Sequence, residues 1–153
     1  MRSLAKSPAA LVALLVIACA PRAAHAALGA DAGSIDQDRA HFKAALRTQV
    51  LPAYTVHALD LPGGTVVREF IGASGIVFAV SWSGPFRPDL RQTLGVYFDR
   101  FRAATGQPGA THRQLLVAER DVVIASHGRL RAFEGLAYLP AAMPAGVTPA
   151  QLR

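Results

Sequence analysis

The sequence predicts an α+β domain: a mostly antiparallel sheet of about five to six strands in two meanders, with helix packed on it. Three observations predict it. Two stretches, 53–82 and 112–139, alternate with a period of two and are cut by short glycine- and proline-rich turns, as in antiparallel meanders. The last run of the first stretch, 76–82, carries no charge on either face. A segment with helical spacing separates the two stretches.

At 153 residues, 52% hydrophobic and 17% charged, the chain is long enough for one packed domain and too apolar for disorder. Residues 36–140 form that domain. Residues 1–26 read as an export signal. Arg2 and Lys6 give a positive start, 9–20 is an apolar run, and Ala24, His25 and Ala26 end it with the small-x-small pattern of a cleavage site. A run of 12 residues is too short to span a bilayer, which takes about 20. The sequence carries one cysteine, Cys19, preceded by Val16, Ile17 and Ala18 in the manner of a lipobox. Cleavage before it would leave a lipid-anchored envelope protein, and only then a membrane partner. The spacing favours the cut after Ala26, since Cys19 lies inside the apolar run; the mature chain then has no disulfide, thiol nucleophile or thiolate metal site. The expected address is the periplasm or the medium. Removing Arg2, Lys6 and Arg22 from sixteen basic residues leaves thirteen against ten acids, a net +3. That mildly basic surface is no nucleic-acid footprint.

Residues 27–35, rich in alanine, glycine and serine, predict a flexible mature N-terminus. Phe42, Ala45, Leu46 and Val50 can share a helical face, so a helix is expected at about 36–51, ended by Pro52. Strand-like runs follow around Tyr54–Leu59, 65–71 and 76–82, with turns at Pro62-Gly63-Gly64 and 72–75. In the third run Ile76, Phe78, Val80 and Trp82 are expected on one face and Val77, Ala79 and Ser81 on the other. A strand apolar on both sides belongs in the middle of a sheet covered on both. Gly84, Pro85 and Pro88 break it, and the main helix is expected at about 88–104, with Leu90, Leu94, Tyr97, Phe98 and Phe101 on its buried face. Gly95 is placed inside that helix, at a close approach. Three further strands are expected at 112–119, 121–126 and 129–139, the last two joined at His127 and Gly128. Residues 141–153, with Pro144 and Pro149, read as a C-terminal tail.

The run REFIGASGIVFAVSWSGPFRPDLRQTLGVYF, with SHGRLRAFEGLAYLPAAMPAGV near the end, resembles the family of exported proteobacterial proteins that carry domain of unknown function 2844. The similarity extends from Ala27 to Leu152. It implies an exported single-domain protein and supports the cut before Ala27. It implies no activity, cofactor or catalytic residue.

The residues themselves carry no catalytic signature. Ser81 and Ser83 flank Trp82, but Ala79 and Ser83 stand where a GxSxG elbow needs glycines. His41, His57, His112 and His127 are scattered without metal-ligand spacing, and no phosphate-binding glycine loop precedes a helix. No catalytic, cofactor-binding or metal-binding residue is therefore named, and no cofactor is expected. Arg68 and Glu69 point to opposite faces, so one of them can be partly buried and would then need a partner; a charge on the exposed side, or a structural ion pair with Arg129 or Arg131, is expected. Trp82, Phe86, Arg87 and Tyr97 cluster around the strand-to-helix turn and form the candidate binding surface. The expected function is a non-catalytic binding or assembly module of the cell envelope, its partner an envelope protein or surface component. The alternative is a small periplasmic hydrolase or isomerase in which Glu69 or a histidine meets a second polar side chain in a pocket.

Overall fold

The computed structural model describes residues 28–107 and 114–153. The expected signal at 1–26, Cys19 and His112 lie outside them. The fold is α+β. Seven antiparallel strands form one sheet: β1 Ala45–Val50, β2 Thr55–Asp60, β3 Val66–Ile71, β4 Val77–Gly84, β5 Gln114–Ala118, β6 Val123–Arg129 and β7 Ala132–Tyr138. Their order is β1-β2-β3-β4-β7-β6-β5. The two meanders thus meet where β4 pairs with β7, and the uncharged β4 is the central strand.

The strand beyond the expected five to six is β1, in the stretch expected to continue a helix to residue 51. Helix α1 spans Ile35–Phe42 and stops at Lys43, which adopts a left-handed conformation with φ 51°. Residues 45–50 then pair with β2 along their whole length, and Arg47 is anchored to Asp60 by bonds of 2.6 and 2.7 Å. Helical spacing among four residues is weak against six ladder positions offered by a neighbouring strand.

The sheet is covered on both faces. On one side lie the helices, over Leu59, Val67, Val80, Trp82, Ala137, Ile124 and Val117. On the other, the C-terminal segment covers Val56, Phe70, Phe78, Ala79 and Leu136. The alternation expected for β4 is corrected by a bulge. Phe70 pairs with Ala79 but Ile71 pairs with Val77, so Phe78 is the extra residue. Phe78 and Ala79 therefore both join the tail-side cluster, while Val77, Val80 and Trp82 join the helix side. Phe78 completes an aromatic group there with Tyr54 and Phe70, at centroid distances of 5.9 and 6.4 Å.

The main helix is also corrected. It is broken into α2, Leu90–Leu94, a 3-10 turn at Gly95–Tyr97, and α3, Phe98–Thr105. Gly95 has φ 52° and ψ −125°, a backbone state that L-residues rarely adopt, so it ends α2 rather than packing within a continuous helix. Asp89 caps α2 by accepting from the Arg91 and Gln92 N–H groups. Leu90, Leu94 and Phe101 are buried as expected. The β6–β7 turn falls at Leu130 and Arg131, the latter at φ 59°, and His127 and Gly128 are paired strand residues.

Neither end of the described chain hangs free. Residues 28–34, expected to be flexible, run beside the start of β4: Gly29 N–H donates to Val77 O and Ala32 N–H to Gly75 O, both at 2.8 Å, and Leu28 is buried. The C-terminal segment turns twice, at Pro140–Ala142 and Pro149–Gln151, and plants Leu152, 0% exposed, in the tail-side cluster. Burial of one leucine contributes roughly 1.5–3 kcal/mol, enough to hold the segment across the sheet.

Candidate functional site

The strand register determines which polar side chains meet. On β3, Arg68 and Glu69 project to opposite faces, and both have structural consequences. Glu69 lies on the helix side, 3% exposed, with His57 opposite on β2 and Val80 opposite on β4. Its partner is not Arg129 or Arg131. It is Asp38 of α1, 1% exposed, whose carboxyl is in hydrogen-bond contact with Glu69. Two carboxylates can make that bond only if one keeps a proton. Burial, then the adjoining Asp38, push the Glu69 carboxyl up to about 9. Burial also raises Asp38, against the bonds from Glu69 and Gln92. The two carboxyls therefore share one proton, and Asp38 Oδ1 also accepts from Gln92 Nε2 at 2.6 Å. Asp38 Oδ2 receives no N–H, which fits a contact made through the shared proton. The pair fastens α1 and α2 to β3. His57, with Nδ1 buried and unpartnered, is held neutral by burial. Neither carboxyl borders the cavities described below, so the pair is a fastening of the fold.

Arg68 lies on the tail side. Register places four residues in a row across the sheet: Arg68 on β3, Ser81 on β4, Leu136 on β7 and Ala125 on β6. The adjacent row contains Ser83, Glu134 and His127. These two rows floor a cavity of about 350 Å³, which Arg153 of the C-terminal segment borders. His127 and Glu134 also line a larger depression of about 820 Å³ toward the β6–β7 turn.

The polar groups of this cavity are notable for what they do not contact. Ser81 is 3% exposed and its Oγ has no hydrogen-bond partner among the described residues. Among the described residues Arg68 makes no ion pair; its one hydrogen bond is Nη1 to Ser83 Oγ at 3.5 Å. Asp60 is close enough to feel the Arg68 charge, but its oxygens are committed to Arg47. A buried hydroxyl without a partner costs about 1–3 kcal/mol. Ser81→Ala is accordingly expected to raise stability by about 1 kcal/mol, read as a higher urea midpoint at unchanged slope. A lower midpoint would mean that the hydroxyl is satisfied within the fold.

The four residues expected to form a binding surface are dispersed. Trp82 is buried on the helix side, its ring filling the space above Gly135, and it borders the cavity. Arg87 lies over the Phe133 ring at 5.4 Å. Phe86, 58% exposed, leans on Gly63 in the β2–β3 turn, and Thr65 Oγ1 donates to its carbonyl at 2.7 Å. Tyr97 packs on Gly29, with Arg100 over its ring at 5.4 Å. Of the four, only Trp82 reaches the cavity.

The model of a family described as "Protein of unknown function (DUF2844)" matches residues 24–152. The chain belongs to that family. The match spans the whole sheet, both coverings and every cavity residue except Arg153, so the arrangement described here lies inside the DUF2844 domain. Comparison with curated proteins and with solved structures found no match.

The cavity was missed in the sequence because its residues come from strands far apart in the chain. In sequence, Ser81 and Ser83 read as possible elbow serines and His127 as part of a turn. The alternation of β4 does place Ser81 opposite to Trp82. Nothing in the sequence says that Glu134 and His127 come to stand in the neighbouring row.

Proposed function

We propose that the protein is an exported, periplasmic or secreted binding module whose tail-side cavity holds a small molecule. The observation that carries this reading is Ser81: a buried hydroxyl with no partner among the described residues, beside an arginine that makes no ion pair among them, both lining one cavity. Folded proteins pair their buried polar groups, and exceptions collect where something else is to be bound. The export half of the reading rests on the tripartite pattern of residues 1–26.

The alternative, a small hydrolase or isomerase, draws support from His127 standing opposite Glu134 in the same cavity. A nucleophilic serine needs a base on its hydroxyl. Among the described residues Ser81 has none, and Ser83 is met only by Arg68. Binding is the reading the geometry favours.

Two measurements test it. Intact mass of the protein recovered from the native envelope is expected to correspond to a chain beginning at Ala27; a mass beginning at a lipidated Cys19 would place it on the membrane, and an unprocessed Met1 would end the export reading. A chemically diverse fragment collection screened by ¹H–¹⁵N NMR is expected to shift Ser81, Ser83, Ala125 and Gly135 together. Fragments that scatter over the surface without touching those four would remove the cavity as the binding site.

A further inference from the structure

We infer that the ligand of the tail-side cavity is a small organic carboxylate, its anionic end on Arg68 and Ser81 and its far end carrying a hydroxyl or amine that donates to Glu134. This rests on the cavity being a binding site and adds the chemistry of what it binds.

The argument starts from the register. Arg68 and Ser81 stand opposite each other on adjacent strands and face the same side, so a guanidinium N–H and a hydroxyl can serve the two oxygens of one carboxylate. Ser81 has its donor and acceptor capacity unused, and the Arg68 fork spends one long contact on Ser83. Asp60, which feels the Arg68 charge, has its oxygens bonded to Arg47 and makes no ion pair with Arg68. Along the same row Leu136 and Ala125 offer apolar surface for a carbon skeleton.

The second row favours a monoanion that carries a donor over a phosphate or sulfate. Glu134 lies on β7 opposite Ser83 and makes no hydrogen bond or ion pair among the described residues. Glu134 shares the cavity with Arg68 and Arg153 and offsets part of their positive charge, which disfavours a dianion more than a monoanion, and its oxygens can accept a hydrogen bond from the monoanion's remote end. His127, across from Glu134, can accept or donate to the same end.

The test uses the purified mature chain and matched compound sets: low-molecular-weight hydroxy and amino acids, their primary amides, the corresponding amines, and inorganic phosphate. Binding is read from the backbone resonances of Ser81, Ser83, Ala125 and Gly135. The acids are expected to saturate these shifts, with the amides about tenfold weaker or more. Arg68→Gln is expected to bring the acids down to the level of the amides, and Arg68→Lys, which keeps the charge but not the fork, to fall between. Ser81→Ala is expected to weaken the acids without loss of fold, and Glu134→Gln to weaken only those with a donor at the far end.

Acids and amides binding equally at the cavity, or acids unaffected by Arg68→Gln in a protein whose spectrum stays dispersed, would overturn the carboxylate while leaving the cavity as a binding site. Phosphate binding tighter than any acid would do the same. If none of the sets moves these resonances, while the broader fragment collection also fails there, the binding reading falls together with this inference.

Discussion

Gly135→Ala is expected to destabilise the protein by about 3 kcal/mol or more, the upper end of what overpacking a core costs. A Cβ built on Gly135 stands 1.9 Å from Trp82 Cζ2 and 2.2 Å from Cε2. Two carbons in contact need about 3.5 Å or more, so the indole or the strand has to move. Neither moves cheaply. Trp82 is 1% exposed and belongs to the helix-side core, and Gly135 pairs with both Trp82 and Ser126 in the middle of the sheet. A loss of this size corresponds to a fall of roughly 10 °C in Tm for a domain of this length. Because Trp82 is the one tryptophan, its emission reports the displacement directly. Combining Gly135→Ala with Trp82→Phe should cost less than the two single changes summed, since the smaller ring vacates the contested space. Near-native stability of Gly135→Ala would mean that β4 and β7 do not pack as described.

Raising the pH from 7 to 9 is expected to weaken the fold by as much as about 2–3 kcal/mol, and Glu69→Gln to abolish that loss. The sign follows from the direction of the shift. The Glu69 carboxyl is pushed up from 4.5 to about 9 in the folded protein. The stability linked to it is complete below about 4.5 and disappears as pH rises through about 9, because the unfolded chain gives up the proton first. Burial shifts Asp38 the same way. His57 acts oppositely: lowered by burial, it favours the fold above its ordinary 6.5 and costs stability below it. Its contribution has levelled off by pH 7, which leaves the alkaline limb to the acid pair. Asp60 and Asp121, held down by Arg47 and Arg100, matter only under acid conditions. Glu69→Gln keeps a donor for Asp38 without a titrating group. Urea unfolding at pH 7, 8 and 9 should therefore give a declining series for the native chain and a flat one for the variant. Parallel declines in both would show that the pair does not hold the proton.

The two sides of β3 show how far the sequence can be read. That Arg68 and Glu69 face opposite ways, and that a charge inside the sheet demands a partner, follows from a period of two and the cost of burying charge. The partner does not follow. Asp38 lies in a short helix 31 positions away by number, and only the docking of α1 on the sheet brings it to Glu69. Charge alone calls for a cation, and the fold supplies a second acid with a shared proton. The β4 bulge is similar. The alternation of 76–82 is visible, but the extra residue at Phe78 is a property of how β3 and β4 pair, and it exchanges the faces of everything before it.

Local patterning was enough to establish an α+β chain, a central strand covered on both faces, a break at Gly84 and Pro85, and the apolar residues Leu90, Leu94 and Phe101 that bury the helical segment. These depend on neighbours within a few residues, where backbone geometry sets which side chains share a face. The strand at 45–50, the end of α2 at Gly95, the acid pair and the cavity depend on contacts between distant segments. Their energies exist only once β4 and β7 close the two meanders into one sheet. That closure sets Arg68, Ser81, Glu134 and His127 side by side, and with them the chemistry proposed for the protein.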